Sequence, residues 1–177
     1  MRIITGKYKG RELFMVPGRS TRPTTAFNRE VIFSAYQEFN GKRVLDLFAG
    51  TGSFGLEALS RGAIWADFVE FASPAIAVLL KNINKLGCSD ICHIYRKKVQ
   101  SFLATGHDPY DIIFLDPPYD KNLVNPTLEM ICDNMLLAPE GVIIVEHSPR
   151  EPLESPYSDL VFKHKSGKTA CFSWIAL

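Results

Sequence analysis

The chain has 177 residues, 46% of them hydrophobic and 22% charged, with a formal net charge of +1. Those figures fit one domain that buries about 70% of its unfolded surface, and they exclude a disordered chain, a collagen-like repeat and a disulfide miniprotein. Runs such as Ile112–Leu115 are far short of the ~20 apolar residues that span a bilayer, and Arg2, Lys7, Lys9 and Arg11 break up any signal-like N-terminal segment.

Arg2–Val16 reads as a short hairpin turning through Gly6–Gly10, and Pro17-Gly18 ends it. Thr24 or Thr25 can cap the helix that follows, in which Val31, Ile32, Ala35, Tyr36 and Phe39 recur at helical spacing until Gly41. From residue 43 strands and helices alternate. Strands are expected at Val44–Phe48, Trp65–Glu70, Ile91–Tyr95, Asp111–Leu115 and Gly141–Glu146. Helices are expected at Ser53–Ser60, Ser73–Leu86, Val99–Ala104 and Leu123–Met135. Asp159–Lys165 and Lys168–Ile175 then form a hairpin across Ser166-Gly167. Alternation of this kind predicts a parallel sheet covered on both faces, with ligands at the carboxyl ends of its strands.

Charge and cysteines add two expectations. Residues 1–45 hold nine Lys/Arg against three acids, a net +6, which leaves −5 for the rest. A basic arm of this kind is a handle for a polyanion such as a nucleic acid. Cys88, Cys92, Cys132 and Cys171 lack C-x-x-C spacing, so they read as free thiols in a cytoplasmic protein. The four histidines show no ligand spacing, and no metal is expected.

Three motifs carry chemistry. Asp46-Leu-Phe-Ala-Gly-Thr-Gly-Ser-Phe-Gly55 leaves the first sheet strand and enters a helix. Its glycines allow close backbone approach to a ligand. The spacing also matches a dinucleotide fingerprint, but Asp46 on the strand would repel a pyrophosphate and suits a cationic ligand instead. Glu70, closing the second strand, can accept hydrogen bonds from ribose hydroxyls. Asp116-Pro117-Pro118-Tyr119 follows the fourth strand. Its carboxylate and a proline carbonyl can grip an –NH2 group while Tyr119 stacks on the ring that bears it, which requires an unpaired or flipped-out base.

Together these motifs resemble the class I S-adenosylmethionine-dependent methyltransferases. Arg2-Ile-Ile-Thr-Gly6, Lys9-Gly-Arg11, Arg22-Pro-Thr-Thr25, Arg29-Glu30, Leu56–Ala63 and Gly167-Lys-Thr169 are similar to the RsmD family, which methylates the exocyclic amine of a guanine in small-subunit ribosomal RNA. The resemblance implies a Rossmann-like, seven-stranded, mostly parallel sheet with a C-terminal antiparallel hairpin. It implies a hairpin-and-helix extension over residues 1–40 and a methyltransferase unit over 41–177. Asp46, Phe48, Ala49, Gly50, Thr51 and Gly52 would line the methionine end of the cofactor, Glu70 its ribose, and Phe71, Lys98 and Val99 its adenine. Asp116, beside the cofactor, and Pro117 would orient the amine, with Pro118 and Tyr119 completing the clamp. Arg2, Lys7, Lys9 and Arg11 would meet RNA phosphates, with Arg22 and Arg29 beside the active-site mouth. The implied partner is ribosomal RNA or an assembling small subunit, and the implied state a monomer.

Two departures stand out. Ala26-Phe27 replaces the family's usual Asp-Arg, and Lys98, a donor-only side chain, stands where an acceptor for the adenine amine is usual. A DNA amine methyltransferase and a catalytically silent RNA-binding homologue therefore stay open as alternatives. An NAD(P) oxidoreductase would leave the Asp-Pro-Pro-Tyr run unexplained.

Overall fold

The computed structural model describes residues 1–16 and 26–177, and of residues 26 and 27 the backbone alone. The expected turn at Pro17-Gly18, the caps at Thr24 and Thr25, and Arg22 lie outside the described residues. In chain order the elements are α1 (Ala26–Ala35), β1 (Arg43–Leu47), α2 (Ser53–Ser60), β2 (Trp65–Val69), α3 (Ser73–Leu86), β3 (Cys92–Tyr95), α4 (Val99–Leu103), β4 (Tyr110–Leu115), α5 (Val124–Asp133), β5 (Leu137–His147), β6 (Val161–Ser166) and β7 (Cys171–Ile175). The sheet order is β3-β2-β1-β4-β5-β7-β6. Strands β1 to β5 pair in parallel, and β7 runs antiparallel between β5 and β6.

The central strands are apolar because both faces are covered. Alternate side chains feed two cores. Val44, Ile112, Phe114 and Ile144 pack under α1, α2 and α3. Leu45, Leu47, Ile113, Leu115, Ile143 and Val145 pack under α4 and α5. Phe54 of α2 stacks on Phe114 of β4 at 3.9 Å between ring centroids, fixing that helix over the β1–β4 junction. The chain runs from β1 outward through β2 to β3 on one side and then crosses to β4 on the other, which makes the β1/β4 boundary the switch point where such sheets bind ligands.

Three elements differ from the sequence expectation. The N-terminal hairpin is reduced to one bridge, Arg2 with Glu12. Its backbone is turned onto α2 instead: Ile4 and Thr5 donate N–H to the Glu57 carboxylate, and Lys7 N–H reaches Ser60 O at 2.7 Å. Gly6 sits at φ +88 with its absent Cβ position 1.7 Å from Ser60 O, so only glycine permits this docking. Helix α1 stops at Ala35 rather than near Phe39, and Lys163 of β6 donates to the Ala35 carbonyl at 2.7 Å, a cation at a helix carboxyl end. Strand β5 begins early, at Leu137. Its register jumps between the Tyr110 and Ile112 partners, so the regular stretch against β4 is Val142 to Val145.

Candidate active site

Parallel register brings the chemical residues to one level. Leu47 lies beside Val69 in β2 and Leu115 in β4, and Leu115 lies beside Val145 in β5. The next residues, Phe48, Glu70, Asp116 and Glu146, all emerge at one edge of the sheet. They border a cleft of about 630 Å³ lined by Phe48 to Thr51, Ser53, Val69 to Ala72, Ala75, Lys97, Val99, Asp116 to Tyr119, Glu146 and Thr169. Met1, Met15, Val16 and Asn28 close it from the N-terminal side. The two strongest motifs of the sequence therefore share one cavity.

The first wall is the loop after β1. Phe48, Gly50 and Gly52 hold φ of 59, 56 and 78, a run through the left-handed region that folds the chain back toward α2. At Gly50 an added Cβ would meet nothing closer than Phe48 O at 4.0 Å, so this glycine opens the loop backbone to the cleft. Gly52 and Gly55 serve packing instead. A Cβ at Gly52 would fall 2.3 Å from Leu79 Cδ1, and one at Gly55 would fall 2.4 Å from Phe68 Cε1. Gly52, expected at the methionine end of the cofactor, is outside the cleft lining and pressed on α3 and β2.

Asp46, expected at the same end, is buried. It points to the α2 side of the sheet, is 2% exposed, and its Oδ2 accepts the Gly55 N–H at 2.9 Å. It lies under the cleft and outside its lining. Burial pushes its carboxyl up to about 8, against the Gly55 hydrogen bond, and the charge of Glu70 adds to the rise.

Glu70 ties the loops together. Its Oε2 accepts the Gly50 N–H at 2.9 Å, and its Oε1 accepts those of Phe71 and Ala72, both at 2.8 Å. Of about four acceptor sites on a carboxylate, one remains, on Oε2. A two-bond grip on a ribose therefore requires one loop N–H to let go. Phe71, 60% exposed, stands at the rim. Val99 lines the cleft as expected, but Lys97 takes the place expected for Lys98. Lys98, the exposed N-cap of α4 whose carbonyl receives the Phe102 N–H, is outside the lining.

The second wall is Asp116–Tyr119. Pro117 is buried, Pro118 exposed, and Asp116 and Tyr119 half-buried. The Tyr119 hydroxyl donates to Glu146 Oε1 at 2.6 Å, and Asn28 Nδ2 reaches the same oxygen at 3.3 Å. Burial raises the Glu146 carboxyl above its usual range, while these two hydrogen bonds oppose the rise. Neither Glu146 nor Asn28 stood out in the sequence. The signal for Glu146 was present: an acid ending an apolar strand, as Glu70 does.

The basic residues divide. Arg2, Lys7, Lys9 and Arg11 are exposed, though Arg2 is paired with Glu12 at 2.7 Å. Arg29 is no surface contact. It is 2% exposed, with Nη2 on Glu57 Oε2 at 2.8 Å and Nη1 on the Arg2 carbonyl at 2.9 Å. Helical spacing explains it: position 29 shares a face with buried Ile32 and Phe33. Among the described residues no cluster of His, Cys, Asp or Glu could hold a metal, and no helix is long and apolar enough to cross a membrane.

A family model described as Conserved hypothetical protein 95 (Cons_hypoth95) matches residues 1–175. The Bacillus subtilis protein YlbH is 38% identical over 169 residues, covering 93% of this chain and 92% of its own. Ribosomal RNA small subunit methyltransferase D of Haemophilus influenzae is 33% identical over 170 residues, covering 94% and 88%. Among solved structures, yhhF of Escherichia coli superposes with a TM-score of 0.86 at 34% identity, covering 98% of this chain and 96% of that one.

Proposed function

This chain belongs to the RsmD-like rRNA methyltransferase family, with its class I methyltransferase fold, and we propose that it moves a methyl group from S-adenosylmethionine to the exocyclic amine of a guanine in small-subunit rRNA. One observation carries the reading: the loop after β1 and the Asp116–Tyr119 tetrad face each other across a single cleft. The cleft suits the cofactor. Gly50 leaves its backbone open to the cavity, Glu70 retains an acceptor, and Val69, Phe71 and Val99 offer apolar walls for a heterocycle. When bound, the cofactor supplies an electrophilic methyl on a sulfonium.

The protein's own residues do the rest by position. An aromatic amine is a weak nucleophile because its lone pair is delocalised into the ring. Asp116, accepting from that amine, draws the nitrogen toward tetrahedral geometry. Proline at 117 and 118 leaves the backbone there without N–H donors that would compete for the carboxylate. As the nitrogen gains positive charge, its bond to Asp116 strengthens, so the stabilisation is greatest in the transition state. Tyr119 gives the base a flat wall. We extend the reading to a monomer acting in the cytoplasm on rRNA or an assembling small subunit, with the exposed Lys7, Lys9 and Arg11 on phosphates.

The test pairs two measurements on Asp116→Ala. Transfer of tritiated methyl to small-subunit rRNA is expected to fall by about 100-fold or more, while S-adenosylhomocysteine affinity by calorimetry changes little. An equal loss in both would remove Asp116 from the substrate side. Methyl transfer to DNA rather than to rRNA or small subunits would overturn the substrate.

A further inference from the structure

We propose that Glu146 is a specificity-determining residue of this cleft, accepting the ring N–H that neighbours the target amine and so selecting guanine over adenine. The inference rests on the amine-methylating reading above and adds a second polar contact to it. Glu146 follows Val145, the register partner of Leu115, so it sits across the parallel pair from Asp116. It lines the cleft, yet the residue is only 2% exposed.

Its two oxygens are used unequally. Oε1 takes both the Tyr119 hydroxyl and the Asn28 amide. Oε2 is buried and has no hydrogen-bond partner among the described residues. Buried polar atoms are rarely left so, and an ionised carboxylate can only accept. In its ionised form the carboxylate thus lacks a donor at Oε2, and a ligand of the cleft that the residue lines can bring one.

Asp116 and Glu146 are neighbouring carboxylates at the cleft, so a base with two neighbouring donors matches the pair. Guanine presents them, with N1–H beside the 2-amine. Adenine presents its 6-amine beside an unprotonated N1, whose lone pair would face the Glu146 oxygen, acceptor against acceptor. A site built around a substrate N–H rejects an analogue lacking it more strongly than an apolar pocket can. The Tyr119 hydroxyl, at 2.6 Å, holds the carboxylate in orientation. A purely structural Glu146 would need only the Oε1 contacts, which glutamine also provides; the specificity role needs an acceptor at Oε2, which glutamine can replace with a donor.

The test follows from that difference. The guanosine that acquires tritium in small-subunit rRNA is mapped, and a fragment is made with 2-aminopurine there, which keeps the amine but lacks N1–H. Wild type should favour the guanine RNA by about 10,000-fold in kcat/KM. Glu146→Gln should lower activity on guanine far more than on 2-aminopurine, so that the ratio collapses toward about 1. A ratio unchanged by the substitution overturns the proposal. A second measurement uses only wild-type protein and so is immune to misfolding of the variant. RNA carrying inosine, which has N1–H but no amine, should compete with the guanine RNA at least about 10-fold better than RNA carrying 2-aminopurine. Equal competition overturns the role of Glu146. Absence of tritium in any guanine is a different failure, that of the amine-methylating reading itself.

Discussion

Asp46 combines a charge with almost complete burial. One hydrogen bond from Gly55 does not offset the loss of solvent, and the carboxyl rises from 3.8 to about 8. Between those values the folded protein holds a proton that the unfolded chain has released. The stability this group contributes is therefore fully present below about pH 4 and is lost as pH rises through about 8, with a slope of at most about 1.4 kcal/mol per pH unit. Asp46→Asn keeps an oxygen for the Gly55 N–H and cannot ionise. Its thermal midpoint is expected to gain on wild type steadily from pH 5 to about pH 8 and to level off above that. A midpoint difference that stays constant over that range would place the titrating group elsewhere. The sequence marked Asp46 as a strand-end acid near a glycine loop, and that much was legible. It could not say that Gly55, nine residues on, would claim the carboxylate, because that contact depends on how close α2 lies to β1.

Helix α2 is where the N-terminal segment is anchored. Glu57, 0% exposed, accepts four hydrogen bonds: Ile4 N–H at 2.7 Å, Thr5 N–H at 3.0 Å, Arg29 Nη2 at 2.8 Å and Arg61 Nε at 2.9 Å. Every acceptor site of the carboxylate is filled, and it faces two guanidinium groups. Replacing Glu57 with Gln would leave Arg29 charged and buried without its counter-ion, a change that costs about 3–5 kcal/mol. The urea midpoint should fall accordingly. A loss under about 1 kcal/mol would mean that the segment relaxes and lets water reach Arg29. This element also shows where sequence reading stops. The central strands were readable because two-sided burial makes them apolar, and Gly87 closes α3 as its left-handed position suggests. The helix containing Glu57 was readable too. What depended on tertiary partners was not: the hairpin lost its ladder because its N–H groups serve Glu57 and Ser60, and a single buried acid among apolar residues reads locally as a solvated charge. Arg29 misled for the same reason, although its spacing with Ile32 and Phe33 held the correction.

Over the whole molecule, the basic character of the first 45 residues is smaller at the surface than the count suggests. Arg29 is neutralised inside, Arg2 is engaged by Glu12, and Lys42 and Arg43 lie at the opposite end of β1 against Asp111 and Asp108. Lys7, Lys9 and Arg11 are exposed and form no ion pair among the described residues, with Lys7 resting over the Tyr8 ring at 5.3 Å. Their turn docks on Ser60, the last residue of α2, whose first residue, Ser53, lines the cleft. At ~1.5 Å per residue the helix sets the basic turn about 12 Å from the cleft, a distance suited to phosphates flanking the target nucleotide rather than to the base itself. Phosphate contacts govern salt dependence, at about 0.7–0.9 in the log–log slope for each contact. The triple change Lys7→Gln, Lys9→Gln, Arg11→Gln is therefore expected to flatten the slope of rRNA affinity against salt by about 2 to 3 while leaving S-adenosylhomocysteine affinity unchanged. An unaltered slope would mean that the RNA approaches over another face, and the basic turn would then serve only to seat the N-terminal segment on α2.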